Sequence, residues 1–346
     1  MKKDSLDSFM PHPHPTLKDI AKKTGFTEAT VSRILAGKAK FAKKTQEEVE
    51  AVAKRLGYRP NRLVSGIQSG KTGMIGVIIP IHAEWGAKIV AGMQRALVPQ
   101  GYVPIVLDCP SPVMNELEMI TQLLERRVEG IALFPRDDDV SDRYFYEIHD
   151  RRIPLVVIGR HLANTQCHFV GGDDLGSGRI AAEHFISRGH RILGHLAGPW
   201  SMSTGRDRAA GFHQAALLKS GVTVFQTVMP GFLPDETLIG NFLKEHPTIT
   251  AVYCANEAIA MGLYAVARRQ GISIPKEISV IAHGDGKISS FVTPRLTSTV
   301  ENNDLMGLEA GKMLLTVIQN PGKIKLTLEK RIPTKLIVRE STAEVS

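Results

Sequence analysis

The sequence predicts a small all-α headpiece and a short hinge helix joined to a two-lobed α/β core of doubly wound parallel sheets. Three observations carry this expectation. Apolar residues recur at helical spacing across residues 16–58. The excess positive charge sits in the same part: residues 1–72 hold 15 Lys+Arg against 7 Asp+Glu, while residues 73–346 hold 28 of each. From Met74 onward, short Val- and Ile-rich runs alternate with longer amphipathic stretches.

The headpiece reads as three helices. Leu17, Ile20 and Ala21 share one face, as do Val31, Ile34 and Leu35, and then Val49, Val52, Ala53 and Leu56. Gly25 marks a tight turn between the first two. Thr16, Thr27 and Thr45 are placed as N-caps, because a hydroxyl there accepts from the orphan amides of the first turn, and Thr45 with Glu48 has capping-box spacing. A helix, a glycine turn and a second helix form a helix-turn-helix unit (residues 16–59), whose second helix suits the DNA major groove. A basic module attached to a neutral body is the electrostatic footprint of a nucleic-acid binder. A merely solubilising tail would be low-complexity, and this segment is helically patterned.

Residues 60–72 form a connector, with Pro60 suited to the first turn of a short helix reaching about Gln68. Leu63, Val64 and Ile67 share a face of it, and Arg59, Arg62 and Lys71 flank that face. Gly66 weakens so short a helix, so the segment is expected to fold only against a partner.

In the core, MIGVIIP, VPIVLD, GIALF, PLVVIG, RILGHLA, TAVYCA and ISVIAH read as buried strands. Helical stretches are expected at 87–98, 114–127, 176–188, 207–219 and 258–270. Fully apolar strands between amphipathic helices imply parallel sheets covered on both faces. The units are too many for one sheet, so two lobes are expected, with ligand in the crevice at the carboxyl ends of the strands.

Composition bounds the rest. A chain of 346 residues with 43% hydrophobic and 23% charged residues can bury ordinary cores in two or three domains. Cys109, Cys167 and Cys254 are scattered, odd in number and without metal-ligand spacing, which predicts free thiols in a reducing compartment. Residues 1–15 are polar, with prolines at 11, 13 and 15, and read as a disordered lead-in; their HPHP is a weak metal motif at most. No apolar leader and no run of membrane-spanning length is present, so a cytoplasmic protein is expected. GxSxG, P-loop, HExxH and CxxC patterns are absent, and the glycine-rich GGDDLGSG lacks GxGxxG order. No cofactor, metal or catalytic role is therefore predicted. Two other readings are a solute-binding receptor and an enzyme carrying a DNA-binding module. The missing leader weighs against the first, and the missing nucleophile–base constellation against the second.

From residue 16 to residue 341 the chain resembles the lactose-repressor (LacI/GalR) family of bacterial transcription regulators. The resemblance rests on TLKDIAKKTG with TVSRIL, LGYRPN, GDDLGSGRIAAEHFISRGHRI, AGPWSMSTGRDRAAGF, AVYCANEAIAMG, TPRLTSTV and IPTKLIVRES. It implies two periplasmic-sugar-binding-type lobes joined by three crossovers, expected at about 74–170 with 297–322 and at about 171–296 with 323–346. It also implies a homodimer on a near-palindromic DNA operator, controlled by a small effector. Tetramer-forming leucine heptads are not expected, since the sequence stops soon after the final strand.

The resemblance implies base contacts by Glu28, Ala29 and Arg33, with Arg33 suited to guanine and Ala29 to a thymine methyl. For Glu28 a second reading stays open, a solvated residue favoured by the helix dipole. Thr16, Thr27, Thr30, Ser32 and Asn61 would contact phosphates. Val64 and Ile67 would form the apolar wedge of a hinge helix in the minor groove, and Gly66 departs from the family's usual residue there. Effector positions map to Trp85, Thr204, Arg208, Phe232, Asn256 and Glu301. Where the family often has acids after two strands, this chain has Gly159 and Gly284, beside Arg160, His283 and Asp285. Losing carboxylates while keeping Arg160 and Arg208 favours a sugar acid or sugar phosphate over a neutral sugar, unless Asp285 takes the lost role.

Overall fold

The computed structural model describes residues 15–37, 41–59, 71–109, 115–136, 147–162, 165–324 and 326–345. The lead-in up to residue 14, the hinge helix, and Asn61, Val64, Gly66 and Ile67 lie outside the described residues. The chain divides into two compact units, Met1–Thr72 and Gly73–Ser346.

In the first unit, α1 spans Leu17–Thr24, α2 Glu28–Leu35 and α3 Lys43–Leu56. Thr16 and Asp19 close a capping box: the Thr16 amide donates to Asp19 Oδ2 at 2.8 Å, and the Asp19 amide to Thr16 Oγ1 at 3.4 Å. Gly25, at φ 73°, ends α1 in the left-handed region that an L side chain resists. Thr27 caps α2 by accepting from the Thr30 amide at 3.2 Å. The third expected cap is corrected. Helix α3 begins two residues before Thr45, with Ala42 as N-cap; the Ala42 carbonyl already accepts from the Thr45 and Gln46 amides, so Thr45 is inside the helix. Ile20, Val31, Ile34, Val49, Val52 and Ala53 form one core drawn from all three helices.

The second unit contains two six-stranded sheets. The first is built from β1 (Met74–Ile79), β2 (Val103–Asp108), β3 (Ile131–Leu133), β4 (Leu155–Ile158), β5 (His168–Gly172) and β11 (Glu329–Ile332), in the order β11-β5-β4-β3-β1-β2. The second is built from β6 (Ile192–Ala197), β7 (Thr223–Val228), β8 (Ala251–Cys254), β9 (Ser279–His283), β10 (Thr297–Glu301) and β12 (Thr334–Ile337), in the order β12-β10-β9-β8-β6-β7. Every pairing is parallel except β10 with β12.

Helices cover both faces of each sheet. On the first sheet, α4 (Glu84–Leu97) and α11 (Asn303–Gln319) bury Ile89, Met93, Leu97, Met306 and Leu314 on one face, and α5 (Glu116–Glu125) buries Met119, Ile120 and Leu123 on the other. On the second, α6 (Asp174–Ser187) and α7 (Ser203–Leu217) cover one face, and α8 (Glu236–Glu245) and α9 (Glu257–Gln270) the other. A short α10 spans Lys287–Phe291. Two helix pairs touch backbone to backbone. A Cβ on Gly307 of α11 would stand 1.9 Å from the Ile89 carbonyl oxygen of α4, and one on Gly211 of α7 would stand 1.9 Å from that of Leu175 in α6.

The expected lobe boundaries are corrected in two places. Residues 297–301, expected in the first lobe, form β10 of the second sheet, between β9 and β12. Their hydroxyls and amides are satisfied there: the Thr297 amide donates to Ser341 Oγ at 2.8 Å, and Thr299 Oγ1 lies 2.7 Å from Ser177 Oγ. Residues 329–332, expected in the second lobe, form β11 beside β5 of the first. The chain thus passes between lobes after Gly172, after Glu301 and at Pro333.

Candidate functional site

Helix α2 turns Val31 and Ile34 into the core and leaves Glu28, Ala29, Ser32 and Arg33 exposed. Thr16 and Thr27 are exposed and Thr30 is half-buried at the same end. Both capping threonines already hold their own helix starts, and Thr30 Oγ1 sits 2.9 Å from Thr27 Oγ1. The exposed face of α2 therefore carries one acid, one guanidinium and small groups, which matches base-edge reading better than phosphate contact alone.

In the core unit, Trp85, Arg160, Thr204, Arg208, Phe232, Asn256, His283, Asp285 and Glu301 all line one cavity of about 750 Å³. It lies between the two sheets, at the carboxyl ends of β1, β3, β4 and β5 on one side and of β6, β8, β9 and β10 on the other. Parallel strands put all these ends on one edge, so residues far apart in sequence converge there.

The cavity floor is a buried ionic cluster. Arg208 Nε donates to Asp174 Oδ1 at 2.7 Å and Nη1 to the Ala255 carbonyl at 2.8 Å, with both charged side chains nearly inaccessible. Burial pushes the Asp174 carboxyl up, against the pull of Arg208. His283 Nε2 and Glu301 Oε2 lie 3.1 Å apart at ion-pair distance, outside hydrogen-bond alignment. Burial alone would raise the Glu301 carboxyl; His283 and Arg208 outweigh it and hold it down at about 2. His283 Nδ1 lies 2.9 Å from Ser177 Oγ, which also meets Tyr253 and Thr299 hydroxyls at 3.0 and 2.7 Å. Ser177, His283 and Glu301 thus form a serine–histidine–carboxylate chain, with the serine fully buried behind the histidine. A nucleophile has to reach its substrate, and this hydroxyl does not.

The walls are aromatic. Trp85 tilts against Phe134 at 4.8 Å. The Arg160 guanidinium stands 4.7 Å from the Phe134 ring of the first lobe and 5.3 Å from the Phe232 ring of the second, while Nη1 donates to the Pro135 and Arg136 carbonyls. Thr204 Oγ1 is buried and has no hydrogen-bond partner among the described residues. An unsatisfied buried hydroxyl costs free energy unless a ligand or water meets it.

Three sequence expectations change at this level. Asn256 lines the cavity, but its side chain caps α9 through the Ile259 amide and donates to the Phe232 carbonyl at 2.8 Å, so it positions Phe232. Asp285 accepts from Arg339 Nη2 at 2.6 Å, and this ion pair already engages the carboxylate that was a candidate for the lost acidic role. Gly159 and Gly284 have φ of 73° and 102°; a Cβ on the first would stand 2.5 Å from the Phe134 ring and one on the second 3.0 Å from Glu257 Oε2. Neither position accepts an acidic side chain without strain. Sequence reasoning missed Asp174 and Glu257. The signal for Asp174 was the doubled acid in GGDDLGSG, where Asp173 caps α6 and leaves its neighbour for Arg208.

Comparison with known proteins agrees with this arrangement. A family model described as bacterial regulatory proteins, lacI family, matches residues 16–61, and one described as a periplasmic binding protein-like domain matches residues 182–342. The ribose operon repressor of Halalkalibacterium halodurans is 26% identical over 330 residues, covering 94% of this chain and 97% of that protein. Among solved structures, the lac repressor dimer bound to operator and the anti-inducer ONPF gives a TM-score of 0.83 at 25% identity, covering 96% of this chain and 100% of that one. The CelR–cellobiose complex gives 0.69 at 27% identity, over 95% of this chain and 100% of that one. The chain thus carries a LacI-family helix-turn-helix domain followed by a periplasmic-binding-protein-like domain, and its homologues are LacI-family repressors.

Proposed function

We propose that this protein is a cytoplasmic, dimeric repressor that reads a near-palindromic operator, and that a small polyhydroxylated sugar bound between the lobes sets its affinity for DNA. The observation that carries the reading is convergence. Nine residues spread over some 200 positions of sequence line a single cleft, while a separate basic headpiece presents an exposed recognition face. Relatives named for ribose and cellobiose support a sugar as the effector class. Among the described residues no helix is long and apolar enough to cross a membrane.

A neutral sugar fits better than the acid or phosphate that the sequence favoured. That expectation rested on Arg160 and Arg208; Asp174 meets the Arg208 charge at 2.7 Å, and the Arg160 guanidinium lies over the Phe134 and Phe232 rings with Nη1 on the Pro135 and Arg136 carbonyls. Trp85 and Phe232 offer apolar faces to a sugar ring, and the Thr204 hydroxyl offers an unmet hydrogen bond.

Selection of binding sites from random DNA by the full-length protein tests the DNA half of the proposal. A two-fold dimer with one headpiece per half-site should return an inverted repeat whose half-site centres lie about one helical turn apart. A direct repeat or a lone half-site would overturn it. On the selected site, Arg33→Ala should cost about 1–3 kcal/mol and relax preference at one base pair, whereas Lys71→Ala should weaken all sequences alike and flatten the salt dependence. Unchanged base preference in Arg33→Ala would show that α2 is not the reading helix.

A further inference from the structure

Within the cleft, Glu257 is unlike the other acids. Glu84, Asp174, Asp285, Glu301 and Asp304 each have a basic partner, in Lys88, Arg208, Arg339, His283 and Arg95. Glu257 has no ion-pair partner among the described residues. Its Oε1 instead accepts from the Gly286 amide at 2.8 Å and from the Ser289 hydroxyl at 2.5 Å. These two bonds fix the plane of the carboxylate. Its Oε2 takes no hydrogen bond from the described residues.

The glycines beside it explain how that oxygen is reached. A Cβ on either Gly284 or Gly286 would stand 3.0 Å from Glu257 Oε2. Both glycines line the cavity, as does Glu257. A side chain at either position would crowd the oxygen, and at Gly284 the backbone also disfavours one. The Glu257 carboxylate thus lies against two cavity-lining glycines, where a side chain at position 284 or 286 would crowd its Oε2.

We propose that Glu257 is the charge-selecting residue of the effector site: its Oε2 accepts from a hydroxyl or an ammonium of the effector and rejects carboxylate- or phosphate-bearing analogues. An ionised carboxylate is an acceptor only, so it pairs with O–H or N–H donors and repels an anion placed at the same distance. This inference rests on the reading of the cleft as a sugar site and narrows that site to neutral sugars and amino sugars.

The test is calorimetric titration of the full-length protein with matched probes. The neutral set is D-ribose, D-glucose and cellobiose; the cation is D-glucosamine; the anions are D-gluconate, D-glucose 6-phosphate and D-ribose 5-phosphate. At least one neutral or amino probe should bind, with its anionic counterpart tenfold weaker or more. Glu257→Gln keeps an acceptor for Gly286 and Ser289 and replaces the open oxygen by a donor. It should weaken the favoured probe about tenfold and shrink the gap to the anion below threefold. Ser289→Ala loosens the loop and leaves the carboxylate in place, so the gap should persist. Three results would overturn the proposal: anions binding as tightly as their neutral counterparts, a gap unchanged in Glu257→Gln, or no probe binding at all. Wild-type protein from the same preparation is titrated with its selected operator; failure there removes the regulator reading itself, which is a separate outcome.

Discussion

Replacing Arg208 by alanine is expected to destabilise the core unit by about 3–5 kcal/mol and to abolish the effector response, because it strands Asp174 as an unpaired buried acid. Asp174 is 4% exposed and Arg208 8%, so water cannot replace the lost partner. Chemical denaturation measures the loss. The pH dependence identifies its cause. Burial holds the Asp174 carboxyl above its ordinary value of 3.8, and removing Arg208 takes away the largest pull against that. A carboxyl raised in the fold binds its proton more tightly when folded, so the variant's deficit should be largest at neutral pH and shrink as pH falls toward 4. The double variant Asp174→Leu, Arg208→Met should recover most of the stability and none of the response. A single-variant loss below about 1 kcal/mol would show that Asp174 is not buried against Arg208 as described.

Gly307→Val is expected to cost about 3 kcal/mol or more, since its Cβ would lie 1.9 Å from the Ile89 carbonyl oxygen and α4 and α11 would have to separate. Backbone cannot rotate aside as a flexible side chain does. Gly231→Ala is the matched control: a Cβ there meets nothing within 4 Å, and its effect should stay within about 0.5 kcal/mol. Thermal unfolding of both variants measures the difference. Near-equal stabilities would contradict the close helix contact that closes the first lobe.

The parts of the fold that were legible in the sequence are those where one segment decides its own state. Largely buried strands such as β1 and β8 read as unbroken apolar runs, and Gly25 and Thr27 mark helix boundaries by local chemistry alone. Strands β7, β11 and β12, at sheet edges, carry exposed polar residues and gave no comparable signal. Strand β10 was assigned to the wrong lobe because its Thr297 and Thr299 hydroxyls find partners 40 or more residues away, at Thr342 and Ser177. Thr45 failed as a cap because a spacing rule cannot tell the first residue of a helix from the third.

The cleft divides along the same line. The family motifs brought nine residues to one cavity, which spacing within any single motif would not have done. What stayed hidden was the pairing of charges. Asp174 and Arg208 lie 34 residues apart, Asp285 and Arg339 lie 54 apart, and only the folded chain shows which cations are already met. Those pairings underlie the proposed preference for a neutral effector over an anionic one, and they set apart Glu257, whose neighbour glycines looked from sequence alone like a simple loss of acids.

The central claim is that a ligand in the cleft controls DNA binding by the headpiece. The most direct measurement is the affinity of the full-length protein for its selected operator, with and without a saturating concentration of the sugar that raises its melting temperature. A ligand acts at a distance only by preferring one arrangement of the protein, and such couplings are typically about 5–150-fold. The account predicts a change in operator affinity of that size in wild type and none in Arg208→Ala. An affinity that stays constant to within about twofold while the cleft is saturated would contradict it.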